Sequence, residues 1–292
     1  MTKAQANGID IEFDAFGDPE NPAIILIMGL GVQMIAWPEA ICKELADSGF
    51  RVVRFDNRDC GLSTKFDSFG VPNIFAGVAG DASTAAYSLI DMANDVVGLM
   101  DFLEVKAAHV VGISMGGMIA QQAVISHPKR FMSLCSIMAN TGATNVGQPS
   151  PEIIAALLRP AGRDRETAIA AELETSRVIS SERYFDREKA LELVTLSYDR
   201  CFCPDGILRQ LMAILVSPDR TEALKKVAIP TLVVHGLADR LVDPSGGFAT
   251  ASAIPDSKIL TFEEMAHELP EAVWGDVRDA ILENIHRAAT RL

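Results

Sequence analysis

Residues 107–124 read AAHVVGISMGGMIAQQAV. A short apolar run, Val110-Val111, leads into Gly112-Ile113-Ser114-Met115-Gly116, and a helix-compatible stretch of Met, Ile, Ala and Gln follows. This is a G-x-S-x-G pattern in the setting that gives it chemical meaning: strand, sharp turn, helix. A serine on such a turn sits on strained backbone, so its hydroxyl stands clear of the sheet edge. The flanking glycines are needed because side chains there would strike the neighbouring strand and helix. Ser114 also falls at the first turn of the helix, where the dipole favours negative charge on a nearby oxygen. An ordinary small-residue turn is the alternative; the strand before, the helix after and the additional Gly117 weigh against it.

A serine hydroxyl is a poor nucleophile until a base takes its proton, and a third group must orient that base. The chain has five histidines. His109 begins the strand before Ser114, at the wrong end of a sheet. His127, in Ser126-His127-Pro128, reads as a helix C-cap. His235 precedes Gly236 and reads as shaping that turn, and His286 lies on the last helix among surface residues. His267 remains, in a loop between the strand Lys258–Phe262 and the last helix, where a base at the carboxyl edge of a sheet belongs. The acid should follow the preceding strand, and His235-Gly236-Leu237-Ala238-Asp239-Arg240-Leu241-Val242-Asp243-Pro244 offers two carboxylates. Asp239, after the glycine turn, is the better placed; Asp243 precedes a proline and reads as closing the loop. An oxyanion needs backbone N–H donors. Met115, next to the nucleophile, is one. Leu30, in the glycine-rich Met28-Gly29-Leu30-Gly31, is the other.

Outward from this centre, Ile9–Phe13 alternates apolar and polar, as an antiparallel edge strand does. Ala23–Met28 is continuously apolar, which fits a strand buried on both faces. Pro38–Ser48 and Tyr87–Val105 read as helices, Phe50–Phe55 and Phe131–Met138 as strands. Residues 141–225 lack buried-strand runs and read as helices over Glu152–Leu158, Glu166–Val178, Arg187–Ser197 and Gly206–Leu215. Strands resume at Thr231–His235 and Lys258–Phe262, and Val273–Ala289 closes as a helix. The alternation predicts an α/β fold with a doubly wound, mostly parallel sheet, formed by 1–140 and 226–292. The 141–225 block is expected as a helical cap over the carboxyl edge, where open α/β sheets bind ligands. Gly29 and the methionines Met34, Met138, Met212 and Met265 fall near the site or the cap, and flexible thioethers suit a pocket for bulky apolar groups. Ordinary core filling explains the methionines equally well.

The net charge of −13 offers no basic patch for a phosphate backbone or an anionic membrane surface, so neither nucleic acid nor membrane is expected as a partner. Five cysteines show no metal spacing, and an odd number is a poor disulfide framework; Cys201-Phe202-Cys203 reads as two reduced thiols in a helical region. MTKAQANGIDIEF lacks an apolar leader core, which points to a cytoplasmic protein. Whether the chain works alone or as a homodimer is open at this level.

Taken together, these residues resemble the serine α/β-hydrolase superfamily over essentially the whole chain outside 141–225. Asp56-Asn57-Arg58-Asp59-Cys60-Gly61-Leu62-Ser63 is similar to its D-x-R-x-x-G-x-S loop, and His127-Pro128-Lys129-Arg130 and Ile229-Pro230-Thr231 sit where such hydrolases place them. Met28-Gly29-Leu30-Gly31 with Trp37-Pro38 and Arg54–Asp59 looks most like the aclacinomycin methylesterase group of bacterial carboxylesterases, with Met28 in place of the commoner His. The resemblance implies a Ser114–His267–Asp239 esterase working through an acyl-enzyme, with no cofactor or metal. The expected substrate is a bulky hydrophobic ester or lactone, such as a polyketide- or macrolide-type compound. A lactone or carbon–carbon bond hydrolase with the same triad, and a non-catalytic small-molecule receptor on the same fold, are the alternatives.

Overall fold

The computed structural model describes residues 2–157, 162 and 164–290. An eight-stranded sheet runs through it: β1 Thr2–Ala6, β2 Ile9–Phe16, β3 Ala23–Ile27, β4 Arg51–Phe55, β5 Ala108–Ile113, β6 Phe131–Ile137, β7 Thr231–Gly236 and β8 Lys258–Phe262. The spatial order is β1-β2-β4-β3-β5-β6-β7-β8. The β1–β2 and β2–β4 pairs are antiparallel; every other pair is parallel. The chain passes from β3 to β4 on one side and then crosses to β5 on the other. This reversal opens a crevice at the carboxyl ends of β3 and β5, the place where open α/β sheets bind ligands.

Eleven helices accompany the strands among the described residues: α1 Glu39–Asp47, α2 Ile74–Val78, α3 Leu89–Phe102, α4 Met115–Ser126, α5 Pro151–Leu157, α6 Arg165–Ile179, α7 Arg187–Arg200, α8 Pro204–Val216, α9 Thr221–Leu224, α10 Ser245–Ala253 and α11 Trp274–Ala289. The period-two geometry of β3 sorts its side chains into two cores. Ile25 and Ile27 join Met92, Val96 and Leu99 of α3 and Ile119 of α4 on one face. Ile24 and Leu26 join Ile41 and Leu45 of α1 and Ile281 of α11 on the other. Covering both faces is what requires the unbroken apolar run of β3. Each fully buried Ile or Leu contributes about 1.5–3 kcal/mol of transfer free energy.

Several sequence expectations shift. Ile9–Phe13 is not the edge strand, because β1 pairs outside it from Thr2↔Phe13 to Ala6↔Ile9. The helix expected from Tyr87 begins at Leu89, since Asp91 Oδ2 accepts the Ser88 N–H at 2.8 Å and sets its N-terminus. Cys201-Phe202-Cys203 is not helical: it is the break between α7 and α8, fixed by Pro204 at the start of α8, and both thiols are free. Leu158, the expected end of the first inserted helix, lies outside the described residues. Among the described residues no helix is long and apolar enough to cross a membrane.

Helices α5–α9 lie between β6 and β7 in the chain. They touch the loops after β3, β4, β7 and β8. Gln210 of α8 accepts from Gly31 N–H, and Arg209 pairs with Asp59. Glu152 of α5 pairs with Arg240, and Ile179 of α6 accepts from His267 N–H. All four are loops at the carboxyl edge.

Candidate active site

Ser114 is the N-cap of α4, with φ 57° and ψ −122°. A non-glycine residue in this region is strained by about 1–3 kcal/mol and persists only where its surroundings hold it. They do. Ser114 N–H donates to Ile137 O at 2.8 Å, locking the turn to β6. Gly112 and Gly116 let the helix start close to the sheet: a Cβ on Gly112 would run into Gly116 O, and one on Gly116 into Ile27 O. The turn aims Ser114 Oγ at His267, whose Nε2 lies 2.9 Å away.

His267 follows β8, in a loop pinned by its own N–H donating to Ile179 O at 3.0 Å. Its Nδ1 is 2.7 Å from Asp239 Oδ2. A carboxylate only accepts, so Nδ1 carries the proton, and Nε2 is left to accept from the Ser114 hydroxyl. Asp239 is buried in the turn after β7. Its Oδ1 accepts from the Leu241 and Val242 amides at 2.9 Å each. Burial alone would raise the Asp239 carboxyl, but adjacent His267 and hydrogen bonds from His235, His267 and the Val242 amide outweigh it and hold the group at about 2. It stays ionised throughout the neutral range. Asp243, the competing carboxylate, accepts from Ser245 N–H at 2.9 Å and closes its loop instead.

The Met28–Gly31 loop lies directly against the serine. A Cβ added to Gly29 would stand 3.2 Å from Ser114 Cβ and 3.6 Å from Ser114 Oγ. Met115 N–H and Leu30 N–H donate to no protein acceptor among the described residues. Met115 is the first residue of α4, so the helix dipole adds to its amide. The arrangement can therefore deprotonate the serine and stabilise negative charge beside it.

The remaining histidines do other work. His109 Nδ1 meets Ser133 Oγ at 2.8 Å, and burial pushes its imidazole down to about 4. His127 is the C-cap of α4 and its Nε2 meets Asn94 Oδ1. His235 Nε2 donates to Val242 O at 2.8 Å and lies 3.5 Å from Asp239 Oδ2, so it braces the acid's turn. His286 is exposed on α11.

Of the residues expected to line a substrate pocket, Gly29 lies against Ser114. Met34, Met138, Met212 and Met265 are 0–1% exposed, so in this conformation they offer no surface to a ligand. Met138 and Met265 belong to the core between the sheet, α1 and α11. Met34 N–H donates to Asp56 Oδ1, and Met212 packs where α8 crosses Gly77 of α2. Apolar composition indicated burial here, not exposure to a cleft.

Sequence reasoning missed the polar struts between the insertion and these loops. Arg209 forms a bidentate pair with Asp59 at 2.8 Å on both arms, and Tyr87 adds its hydroxyl to the same carboxylate. Asp59, Asp67 and Cys203 converge closely enough to suggest a cation site. The Arg209 guanidinium already pairs with both carboxylates. Arg200 pairs with Asp56 at 2.7 Å. No local signal marked them: Arg209 and Gln210 fall between Leu208 and Leu211, as the off-stripe polar positions of any amphipathic helix do.

A family model described as alpha/beta hydrolase fold matches residues 22–271. The chain belongs to that family. Among curated relatives, rhodomycin D methylesterase DauP of Streptomyces sp. (strain C5) is 27% identical over 300 residues, covering 95% of each chain. The 3-oxoadipate enol-lactonase 2 of Acinetobacter baylyi is 27% identical over 246 residues, 83% of this chain and 80% of its own. Among solved structures, the enol-lactonase from Burkholderia xenovorans LB400 superposes with a TM-score of 0.75 at 19% identity, covering 98% of this chain and 100% of its own. The methylesterase resemblance drawn from the motifs thus recurs in full-length relatives of this alpha/beta hydrolase.

Proposed function

We propose that this alpha/beta hydrolase cleaves carboxylic esters through an acyl-enzyme on Ser114. The observation that carries the reading is the continuous relay of 2.9 Å from Ser114 Oγ to His267 Nε2 and 2.7 Å from His267 Nδ1 to Asp239. Ser114 Oγ attacks the ester carbonyl while His267 Nε2 takes its proton. Asp239 stays ionised, keeps the imidazole in the reactive tautomer and stabilises the imidazolium. The tetrahedral oxyanion is held by Met115 and Leu30 N–H, donors of a kind worth about 10²–10³ in rate each. His267 returns the proton to the leaving alkoxide, and a water then attacks the acyl group by the same route in reverse.

The substrate reading is a bulky hydrophobic ester or lactone, polyketide- or macrolide-type compounds included, admitted beneath a cap made by α5–α9. Two relatives named as rhodomycin D methylesterases make methyl esters of large ring systems the first to try, and an enol-lactonase relative adds lactones. Kinetics on p-nitrophenyl esters of graded chain length, followed by mass spectrometry on a panel of methyl esters and lactones, tests the reading. Turnover that disappears in Ser114→Ala is expected. No turnover of any member with Ser114 intact would overturn it.

A further inference from the structure

Gly29 O accepts Val32 N–H at 3.3 Å, closing a four-residue turn around Leu30 and Gly31. Gly31 has φ +70°, whereas Leu30 is not among the residues of positive φ. A negative φ followed by a positive one is the signature of a type II turn, in which glycine is favoured at the third position. Type I and type II turns differ by a flip of the central peptide, here the Leu30–Gly31 bond. The flip exchanges the directions of Leu30 C=O and Gly31 N–H. With glycine at the third position neither form is sterically barred. Something outside the turn must select one.

That selection comes from α8. Gln210 is fully buried; its Oε1 accepts Gly31 N–H at 2.7 Å, and its Nε2 donates to Arg58 O at 2.7 Å. The two bonds fix the orientation of the amide, since a flipped amide would face donor to donor and acceptor to acceptor. Ile207, three residues earlier, packs so closely on Gly31 that a Cβ there would lie 2.8 Å from Ile207 Cγ1. Arg209, the adjacent residue, is anchored to Asp59 by its bidentate pair, so the helix carrying Gln210 is itself located.

We propose that Gln210 is a positioning residue of the oxyanion hole: by holding Gly31 N–H it pins the backbone immediately after Leu30, and so helps locate the neighbouring peptide that carries the Leu30 N–H. The claim rests on the esterase reading above. It places a determinant of transition-state binding in the inserted helices, not in the sheet. Without Gln210, the hydrogen bonds left to this loop are the 3.3 Å turn bond and that of Asn57 Nδ2 to Met28 O, and neither holds Gly31 N–H. A donor held at the wrong angle penalises the developing oxyanion more than the neutral carbonyl of the bound ester.

The experiment compares parent, Gln210→Met and Gln210→Glu with a p-nitrophenyl ester and with a trifluoromethyl ketone that forms a tetrahedral adduct on serine. End-point fluorophosphonate labelling counts intact sites, so all rates are expressed per labelled serine. For Gln210→Met, kcat should fall about 10- to 100-fold with KM within about 3-fold, and ketone affinity should fall by the same factor as kcat. A protonated carboxyl at 210 keeps both bonds, whereas an ionised one opposes Arg58 O. Activity of Gln210→Glu relative to parent should therefore exceed that of Gln210→Met at the acidic end and decline as pH rises. A Gln210→Met kcat and ketone affinity within about 3-fold of parent would overturn the proposal, as would a loss carried by KM or by the number of labelled sites alone. A parent that turns over no ester would sink the esterase reading and this inference together; an active parent with an indifferent Gln210→Met sinks this inference only.

Discussion

The α5–α9 insertion meets the sheet along two seams built from different chemistry. On the α8 side the contacts are buried: Arg209 with Asp59, Arg200 with Asp56, and the Gln210 amide between Gly31 and Arg58. On the side of α5, α6 and the start of α7, Arg183–Glu264, Lys189–Glu271 and Arg240–Glu152 are all more than half exposed, and the more sheltered contacts are Ile179 O with His267 N–H and Ser181 N–H with Glu268. Exposed pairs contribute about 0–1 kcal/mol each, and salt screens them. Breaking a buried pair leaves an uncompensated charge and costs about 3–5 kcal/mol. The same insertion is therefore welded on the side of the Met28–Gly31 loop and lightly latched on the side of His267.

The largest effects belong to the relay that both seams flank. Asp239→Asn leaves the fold and the 239–242 turn in place but favours the wrong tautomer of His267, and should lower kcat about 10⁴-fold. A loss below about 10-fold would show that the carboxylate does not orient the base. Next comes the welded seam. Arg209→Met strips Asp59 of its guanidinium and leaves that carboxylate with Tyr87 O–H and Phe66 N–H. It should destabilise the protein by about 3–5 kcal/mol in urea unfolding. The double variant Arg209→Met with Asp59→Leu should recover much of that loss, because the stranded charge is gone; no recovery would contradict the buried-charge account.

Acid should weaken the molecule in two windows. His109 is held down to about 4 by burial and Asp239 at about 2, both below their unfolded values, so the unfolded chain takes up each proton first. Stability is then lost as pH falls from about 6.5 to 4 for His109, by about 3 kcal/mol, and from about 3.8 to 2 for Asp239, by about 2 kcal/mol. His109→Gln should flatten the upper window; a parent whose unfolding free energy is level from pH 6.5 to 4 would refute the assignment. The smallest effect is expected at the latched seam. Arg183→Ala should change stability by less than about 1 kcal/mol, and amide exchange along α6 should run faster than along α8. Equal protection of the two helices would erase the contrast between the seams.

Much of this was readable in the chain because the signals are local. Glycine spacing around Ser114, the apolar run of β3 and the position of His267 after a strand each follow from a few consecutive residues. Asp239 was separated from Asp243 by the proline that follows the latter. What escaped depends on partners distant in sequence. Thr2–Ala6 carries too few apolar residues to announce a strand and exists because β2 offers it an edge. Ser245–Ala253 is rich in Gly and Ala and lacks a helical stripe, yet forms α10. Gln210 looks like any polar residue on an amphipathic helix until α8 is folded over Gly31, 179 positions away. The methionines misled for a related reason: a thioether fills a core gap as readily as it lines a cleft, and composition does not distinguish the two.

Intact-mass analysis and peptide mapping after exposure to a fluorophosphonate ask most directly whether the Ser114–His267–Asp239 relay generates an activated oxygen. One adduct per chain, located on Ser114, absent from Ser114→Ala and formed far more slowly in His267→Ala, is the predicted outcome. Failure of the parent to react, or labelling of Ser114 at an undiminished rate without the imidazole, would contradict it.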